Sequence, residues 1–269
     1  MSDVRDTRLS PQRCAVFSLV GCVLVVGVVT FGAPAVLAED NSFSEDFESA
    51  AAGDVPTSGA VTSASADARV DVVGEGTTPA DPFGSADDAG NQSLRLEDGS
   101  TTQDARVKFP AAGLDEPMVA GTLRFRVYVE QSEATGFDRP LVNVKLGHDG
   151  AAGGSFKSEQ IGPWLRLGSP DADGLTVVGG PDMDNTAALN EPHTVTIAFD
   201  AGAGTWTGTV DGEPMTADDG ETITFPFRSN VAAISQVELQ SGFGSADKSR
   251  AYIDDITLTS SDASSEADE

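Results

Sequence analysis

The chain has 269 residues, of which 43 are acidic and 16 basic, so its formal net charge at pH 7 is -27. A hydrophobic content of 39% is enough for one or two folded domains and excludes a wholly disordered chain. Because this charge repels phosphates, the composition argues against nucleic acids and anionic lipids as partners.

The N-terminal segment predicts export. Three arginines within the first 13 residues precede an uncharged, largely apolar run over residues 14–38, which ends in small residues. This is the layout of a signal peptide, so we predict a signal helix over residues 1–38 that is cleaved after Ala38. The mature protein is then secreted, periplasmic or at the cell surface, with no membrane attachment. Two alternatives stay open: an uncleaved membrane anchor, and a lipid on Cys22.

The remainder predicts one all-β domain over residues 39–259, followed by a disordered acidic tail over residues 260–269. Apolar and polar residues alternate with a period of two, separated by Gly, Asp, Asn and Pro, with no sustained helical stripe. Residues 50–68 and 75–92 are predicted as long loops. Both cysteines lie in the N-terminal segment, so no disulfide is expected in the domain. The predicted strands cover residues 43–48, 69–73, 93–97, 105–109, 121–130, 141–146, 164–167, 175–178, 193–200, 205–211, 222–227, 235–240 and 250–259.

Residues 193–212 predict a hairpin, because two alternating strands flank a glycine-rich turn and an Asp-Gly turn closes the second strand. Trp206 shares a strand face with Val210, so we expect it in the core. This hairpin resembles one found in laminin-G and concanavalin A-like jelly rolls. The sequences Phe-Ser-Glu-Asp-Phe-Glu at 43–48 and Ala-Tyr-Ile-Asp-Asp-Ile-Thr-Leu at 251–258 resemble the first and last strands of such domains.

The resemblance to this lectin and glucanase superfamily implies a two-sheet antiparallel jelly-roll sandwich, preceded here by the signal helix. It also implies that the first and last strands pair, and that a concave face often receives a glycan. Function does not follow from the fold, because the same architecture hosts lectins, hydrolases, lyases and spacers.

Alternation places seven of the 16 basic residues on the polar side of five consecutive strands. If these strands share one sheet, their cations form a basic surface, to which an anionic polysaccharide would bind through arginine forks and an exposed indole. The alternative is that the cations form cross-strand pairs with Glu97, Glu130 or Glu238, or are scattered over two sheets. The seven cations are Arg95, Arg106, Lys108, Arg124, Arg126, Lys145 and Arg166. The candidate ligand-binding residues are Arg95, Arg124, Arg126, Tyr128, Lys145, Trp164 and Arg166.

No complete catalytic motif is present. The Glu-x-Asp-x-x-Glu string of jelly-roll glucanases is absent, and residues 160–162 are Gln-Ile-Gly where a resemblance to alginate lyases implies Gln-Ile-His. We therefore predict a noncatalytic glycan-binding or adhesion module. The alternatives are a polysaccharide lyase with Tyr128 as base, and a structural envelope module with no small ligand.

The resemblance also implies a structural calcium ion near the joined termini. Calcium binds oxygen ligands, and the candidates are the carboxylates of Glu45, Glu48, Asp254 and Asp255.

Overall fold

A computed structural model describes most of the domain. Its described residues all belong to one compact unit, Ala38–Glu269. The predicted signal segment and all but two residues of the predicted acidic tail lie outside them. The described residues are 42–56, 58, 60–61, 68–74, 76–84, 90–99, 105–110, 116–131, 141–151, 154–169, 172–177, 188–216, 221–242 and 248–261.

Within these ranges the chain forms fifteen β-strands and one turn of 3₁₀ helix, Ser158–Gln160, which confirms the all-β prediction. No helix among the described residues is long and apolar enough to cross a bilayer. The strands are β1 (Ser42–Glu45), β2 (Ala60–Val61), β3 (Ala68–Val73), β4 (Ser93–Asp98), β5 (Ala105–Pro110), β6 (Ala120–Glu130), β7 (Val142–Gly147), β8 (Ile161–Ser169), β9 (Ala172–Val177), β10 (Pro192–Asp200), β11 (Thr205–Val210), β12 (Glu213–Pro214), β13 (Phe225–Pro226), β14 (Gln236–Ser241) and β15 (Ser249–Ser260).

The strands form two antiparallel sheets, as the sequence predicts. The first sheet has the order β12-β11-β10-β6-β15-β4-β3, with β1 paired to β15 and β13 paired to β11. The second sheet has the order β2-β5-β14-β7-β8-β9. Apolar side chains from both sheets, such as Leu123 and Ile253 from the first and Val144 and Leu239 from the second, form one buried core. Burying these apolar faces against each other stabilises the sandwich.

Three specific predictions are confirmed. Strands β10 and β11 form the predicted hairpin, in which Phe199 is the register partner of Trp206. The Trp206 side chain is buried in the core and stacks on Phe225, with 4.4 Å between the ring centroids. The first strand pairs with the last, and Phe43 is the register partner of Leu258.

Each predicted strand overlaps an observed one, but the prediction over residues 222–227 is wrong in length. Only Phe225 and Pro226 pair with β11. The chain then turns away, since the amide of Phe227 donates to the Gly204 carbonyl and that of Arg228 donates to the Gly162 carbonyl. The strands β2 and β12 have two residues each, which is too short to produce an alternation signal. One of them, β2, lies within the segment predicted as a loop over residues 50–68.

Candidate functional site

The seven cations predicted on strand faces divide between the two sheets, so they do not share one surface. On the face of the first sheet away from the core, which we call the mixed-charge face, lie Arg95 on β4 and Arg124, Arg126 and Tyr128 on β6. On the corresponding face of the second sheet, which we call the cationic face, lie Arg106 and Lys108 on β5, Lys145 on β7, and Trp164 and Arg166 on β8. The condition that all five strands share one sheet is therefore not met.

Cross-strand ion pairs dominate the mixed-charge face. The guanidinium of Arg95 donates from Nε and Nη2 to the two carboxylate oxygens of Asp71, at 2.8 and 2.5 Å. The Arg250 guanidinium bonds Glu97 and Glu130 on the strands either side of it, each at 2.9 Å. Cross-strand pairing is what the alternative interpretation of the cations expects, but its partners differ: Arg95 pairs mainly with Asp71, and the cation between Glu97 and Glu130 is Arg250, which is not one of the seven.

Arg126 is also engaged by the protein. Its Nη1 lies 3.5 Å from Asp254 Oδ2 and 3.6 Å from Asp255 Oδ2, and its guanidinium carbon lies 4.6 Å from the centroid of the Phe83 ring. Arg124, in contrast, is exposed. The mixed-charge face thus offers one exposed predicted arginine rather than a row of them.

Tyr128, the base in the lyase alternative, lies on the mixed-charge face. Its ring packs edge-on against Tyr252, with 5.8 Å between centroids. Burial, and secondarily the Glu130 carboxylate, raise the pKa of the Tyr128 hydroxyl. A higher pKa makes the phenolate scarcer at neutral pH, and the residue lies on a different sheet from Lys145 and Arg166.

The cationic face is organised around Glu238 on β14. Its register partners on the two neighbouring strands are Lys108 and Lys145. Lys145 Nζ lies 2.8 Å from Glu238 Oε1, Lys108 Nζ lies 3.7 Å from Oε2, and Arg106 Nε lies 3.7 Å from Oε1. The backbone amide of Phe156 donates to Oε2 at 2.9 Å. One buried carboxylate is therefore surrounded by three cations.

A covering segment, whose described residues are 148–151 and 154–157, lies over one end of the cationic face. Lys108 Nζ donates to the carbonyls of Ala151 and Gly154 and lies 4.3 Å from the centroid of the Phe156 ring. Burial lowers the pKa of the Lys108 ammonium, and the Glu238 charge partly opposes that effect. The Lys108 end of the face is thus closed by the chain itself.

Trp164 lies at the other end of the face and is only 9% exposed. Its indole Nε1 donates to Asn143 Oδ1 at 3.0 Å, and the Asn143 amide donates to the Gly242 carbonyl at 3.2 Å. The indole is therefore not the open stacking platform that the sequence suggests. Beside it lies Arg228, an exposed side chain that alternation does not identify, because it follows the two-residue strand β13.

The charge balance of the cationic face is the reverse of that of the chain. Among the described side chains that β5, β14, β7 and β8 present on it, four are cations and one is a carboxylate. The whole chain carries 43 acidic residues against 16 basic ones. A local positive surface on so acidic a protein attracts anions at short range, and guanidinium groups bind carboxylates through paired hydrogen bonds.

The four calcium candidates do not converge. Glu45 Oε1 accepts a hydrogen bond from the Phe47 amide, and Glu48 Oε1 accepts one from the Gln92 amide. Across the described ranges, no three His, Cys, Asp or Glu side chains form a group that could hold a metal ion. These residues therefore do not fit a shared calcium site, and calcium binding stays an untested prediction.

Asp254 and Asp255 lie at an irregularity in β15. Asp254 is buried, and its carboxylate accepts hydrogen bonds from Asn91 Nδ2 at 3.2 Å and from the Asp255 amide at 2.8 Å. Burial raises the pKa of Asp254 to about 7, against the hydrogen bonds that favour its charged form. Asp255 has a positive φ of 51° and a half-exposed side chain, so the two carboxylates point to different surroundings.

The fold defines the class: an all-β, two-sheet antiparallel sandwich with one cationic sheet face. A solved sialidase has a similar fold, with a TM-score of 0.52 and 13% identity over 82% of this chain and 19% of the sialidase. The chain thus spans about a fifth of that protein's length. An endo-beta-1,4-glucuronan lyase from the fungus Trichoderma reesei matches with a TM-score of 0.48 and 10% identity, over 81% of this chain and 95% of the lyase. The marine PL-14 alginate lyase from Aplysia kurodai matches with a TM-score of 0.43 and 13% identity, over 66% of this chain and 86% of the lyase.

At these identities the likeness concerns the fold alone. No protein-family model matches the chain, and no curated protein matches it.

Proposed function

We propose that the protein is an exported, noncatalytic β-sandwich that binds an anionic polysaccharide on the cationic face of its second sheet. The observation that carries the proposal is the local reversal of charge on that face, where the described strand side chains are four cations and one carboxylate, and three of the cations surround that carboxylate. Three of the residues proposed from the sequence belong to this face, namely Lys145, Trp164 and Arg166. The remaining four, Arg95, Arg124, Arg126 and Tyr128, lie on the mixed-charge face and are not part of the proposed site.

An acidic glycan fits this face better than a nucleic acid does. Duplex DNA carries one negative charge per roughly 1.7 Å of its axis. A protein with a net charge of -27 repels such a dense row of phosphates except at the small cationic face. A polyuronate carries at most one carboxylate per sugar, so its long-range repulsion is weaker while each carboxylate still suits a guanidinium fork.

A binding role is favoured over a lyase role by where the possible proton acceptors lie. The chain has two tyrosines and two histidines. Both tyrosines lie on the mixed-charge face. Nδ1 of His148 contacts Ser235 Oγ at 2.8 Å, and Nδ1 of His193 contacts Asp211 Oδ2 at 2.7 Å. None of the four is a strand side chain of the cationic face. His148 lies in the covering segment at the Lys108 end, where Ser235 engages it, whereas a lyase needs its base beside the uronate.

Calorimetric titration with polygalacturonate tests the proposal. The matched comparison is between Arg166→Ala, on the cationic face, and Arg69→Ala, which removes the same charge from an exposed position on β3. We expect the wild-type protein and Arg69→Ala to bind alike, and Arg166→Ala to bind about tenfold more weakly, because a charge-assisted hydrogen bond contributes about 1.5 to 3 kcal/mol. Binding should also weaken as salt is raised.

Three results would overturn the proposal, each in a different direction. If the protein bound carboxyl-reduced polygalacturonate as tightly as polygalacturonate, the ligand's negative charge would not be what the protein recognises. Release of unsaturated sugars during incubation would make the protein a lyase. Failure to bind either polymer, or a panel of other acidic glycans, would favour the structural envelope module.

The export part of the proposal rests on the first 38 residues of the sequence. It predicts that the chain recovered from the outside of the producing cell begins at Glu39, which the mass of the intact protein measures. Recovery of the full-length chain in the membrane fraction would favour the uncleaved anchor, and a mass increase on Cys22 would favour the lipidated form.

A further inference from the structure

Three cations surround the indole of Trp164. Lys145 Nζ lies 5.3 Å from the ring centroid, the guanidinium carbon of Arg228 lies 5.7 Å from it, and that of Arg166 lies 5.8 Å from it. A cation within about 6 Å of an indole face is attracted by the negative potential of the ring. The ring therefore holds together like charges that otherwise repel one another.

The three cations reach the ring from three different segments. Lys145 is the cross-strand partner of Trp164 on β7, and Arg166 follows two residues later on the same face of β8. Arg228 comes from the segment after β13, whose backbone is fixed beside β8 by hydrogen bonds from the amides of Arg228 and Ser229 to the carbonyls of Gly162 and Ile161. The ring thus joins two strands and a loop that meet at one end of the cationic face.

The three cations differ in how far they are available to a ligand. Lys145 is buried, and its ammonium donates to Glu238 and to Gln240 at 2.8 and 2.5 Å. Among the described cations of the cationic face, Lys108 and Lys145 are buried, Arg106 and Arg166 are partly exposed and Arg228 is exposed, so the Arg166 and Arg228 end is its more accessible part.

We infer that Trp164 is a positioning residue, whose ring holds the guanidinium groups of Arg166 and Arg228 so that they bind a carboxylate of the polysaccharide. This inference rests on the proposed function and names the part of the face that recognises the ligand. The indole itself does not stack on a sugar, because its faces are occupied by protein groups. A sugar carboxylate suits the two arginines because planar guanidinium groups bind planar carboxylates in a bidentate manner.

Two substitutions of Trp164 separate the ring face from the indole N–H. Trp164→Phe keeps an aromatic face and loses the hydrogen bond to Asn143, whereas Trp164→Leu loses both. We expect Trp164→Phe to keep its affinity for polygalacturonate within about threefold, and Trp164→Leu to lose about tenfold, as the loss of one well-placed charged contact would give. Thermal unfolding of each variant is the control that tests whether the variant still folds.

A second comparison distinguishes positioning from direct contact. In the Arg166→Ala/Arg228→Ala background, adding Trp164→Leu should cause no further loss of affinity, because the ring then has no arginines to place. A further loss of fivefold or more in that background would show that the indole touches the sugar, and would overturn the inference. Equal affinity of Trp164→Leu and the wild type would overturn it as well.

A measurement without ligand keeps this inference separate from the proposed function. The ring current of an indole shifts the NMR signals of nearby protons, so the side-chain Nε–H signals of Arg166 and Arg228 should move toward their free-arginine positions in Trp164→Leu and not in Arg69→Ala. If the wild type binds no polyuronate while these signals move, the proposed function fails and the arrangement of the arginines stands. Unmoved signals would show that the ring does not hold the guanidinium groups.

Discussion

Lys145 and Glu238 form a buried ion pair across the two central strands β7 and β14, with 2.8 Å between Nζ and Oε1. Both side chains lie on the polar side of the second sheet and are almost inaccessible to solvent. The same carboxylate faces Lys108 and Arg106 at 3.7 Å. Glu238 is therefore the counter-charge that allows three cations to share one sheet face.

Replacing Glu238 by Gln should destabilise the fold strongly. The amide keeps the shape and one acceptor of the carboxylate, but it leaves buried cations without their counter-charge. Removing one partner of a buried pair costs about 3 to 5 kcal/mol. Urea unfolding measures the change, with Glu159→Gln, an exposed position in the 3₁₀ turn, as the control. A loss below about 1 kcal/mol would contradict this role for Glu238.

Arg95 should matter for stability and not for binding. Its fork bonds both carboxylate oxygens of Asp71 on the neighbouring strand, and the Arg95 side chain is buried. Arg95→Lys keeps the charge but loses the paired geometry, so we expect a loss of about 1 to 2 kcal/mol in unfolding free energy. Affinity for polygalacturonate, measured on the same sample, should equal that of the wild type. If Arg95→Lys bound polygalacturonate weakly but unfolded like the wild type, Arg95 would belong to the ligand site.

Asp254 should make stability depend on pH near neutrality. Burial raises its pKa in the folded protein to about 7, against an ordinary value of 3.8. The folded state therefore holds the proton more tightly than the unfolded state, and the unfolding free energy falls as the pH rises from about 4 to about 7. Two charged groups also face the Asp254 carboxylate. The charge of Asp255 raises its pKa further, and the charge of Arg126 lowers it.

The comparison with Asp254→Asn isolates this contribution. Between pH 5 and pH 8 the wild type should lose roughly 3 kcal/mol more unfolding free energy than the variant, since about two units of pH lie between 5 and the folded pKa and each corresponds to about 1.4 kcal/mol. The variant also loses one hydrogen-bond acceptor, which lowers its stability at every pH and leaves the difference in slope unchanged. Parallel pH profiles for the two proteins would contradict the assignment.

Trp206 should contribute to the core and not to ligand binding. Its ring is buried and stacks on Phe225, which joins β13 to β11. Truncation to alanine leaves a cavity and should cost about 3 to 5 kcal/mol in unfolding free energy. Trp164 belongs to a smaller buried cluster with Phe156 and Ile161, so Trp164→Ala should cost clearly less, and an equal loss would contradict this difference between the two tryptophans.

The alternation of side chains was sufficient to predict the β class and the β10–β11 hairpin, because burial of one face imposes the period of two. The pairing of the first and last strands was predicted from the resemblance to jelly rolls, not from the alternation. It was not sufficient to predict which sheet each strand joins. Arg95 and Lys145 follow the same local pattern, yet β4 and β7 belong to different sheets. Sheet membership depends on pairing between strands far apart in the sequence, which a local pattern does not encode.

The candidate site shows the same limit. Lys145, Trp164 and Arg166 could be placed on polar strand faces from the sequence alone, but their common surface required the strand order β14-β7-β8. Arg228 follows no alternating strand, so only the turn of the chain toward β8 brings it to the indole. The burial of Trp164 likewise depends on groups from other strands and loops, which the pattern of β8 does not contain.

An NMR titration of the isotopically labelled protein with a short oligogalacturonate tests directly whether the cationic face binds the polysaccharide. We expect signals from β5, β7, β8 and β14 and from Arg228 to change with ligand concentration, while those of β3, β4 and β6 stay fixed. Changes confined to the mixed-charge face around Arg124 and Arg126, or no changes at millimolar ligand, would contradict this proposal.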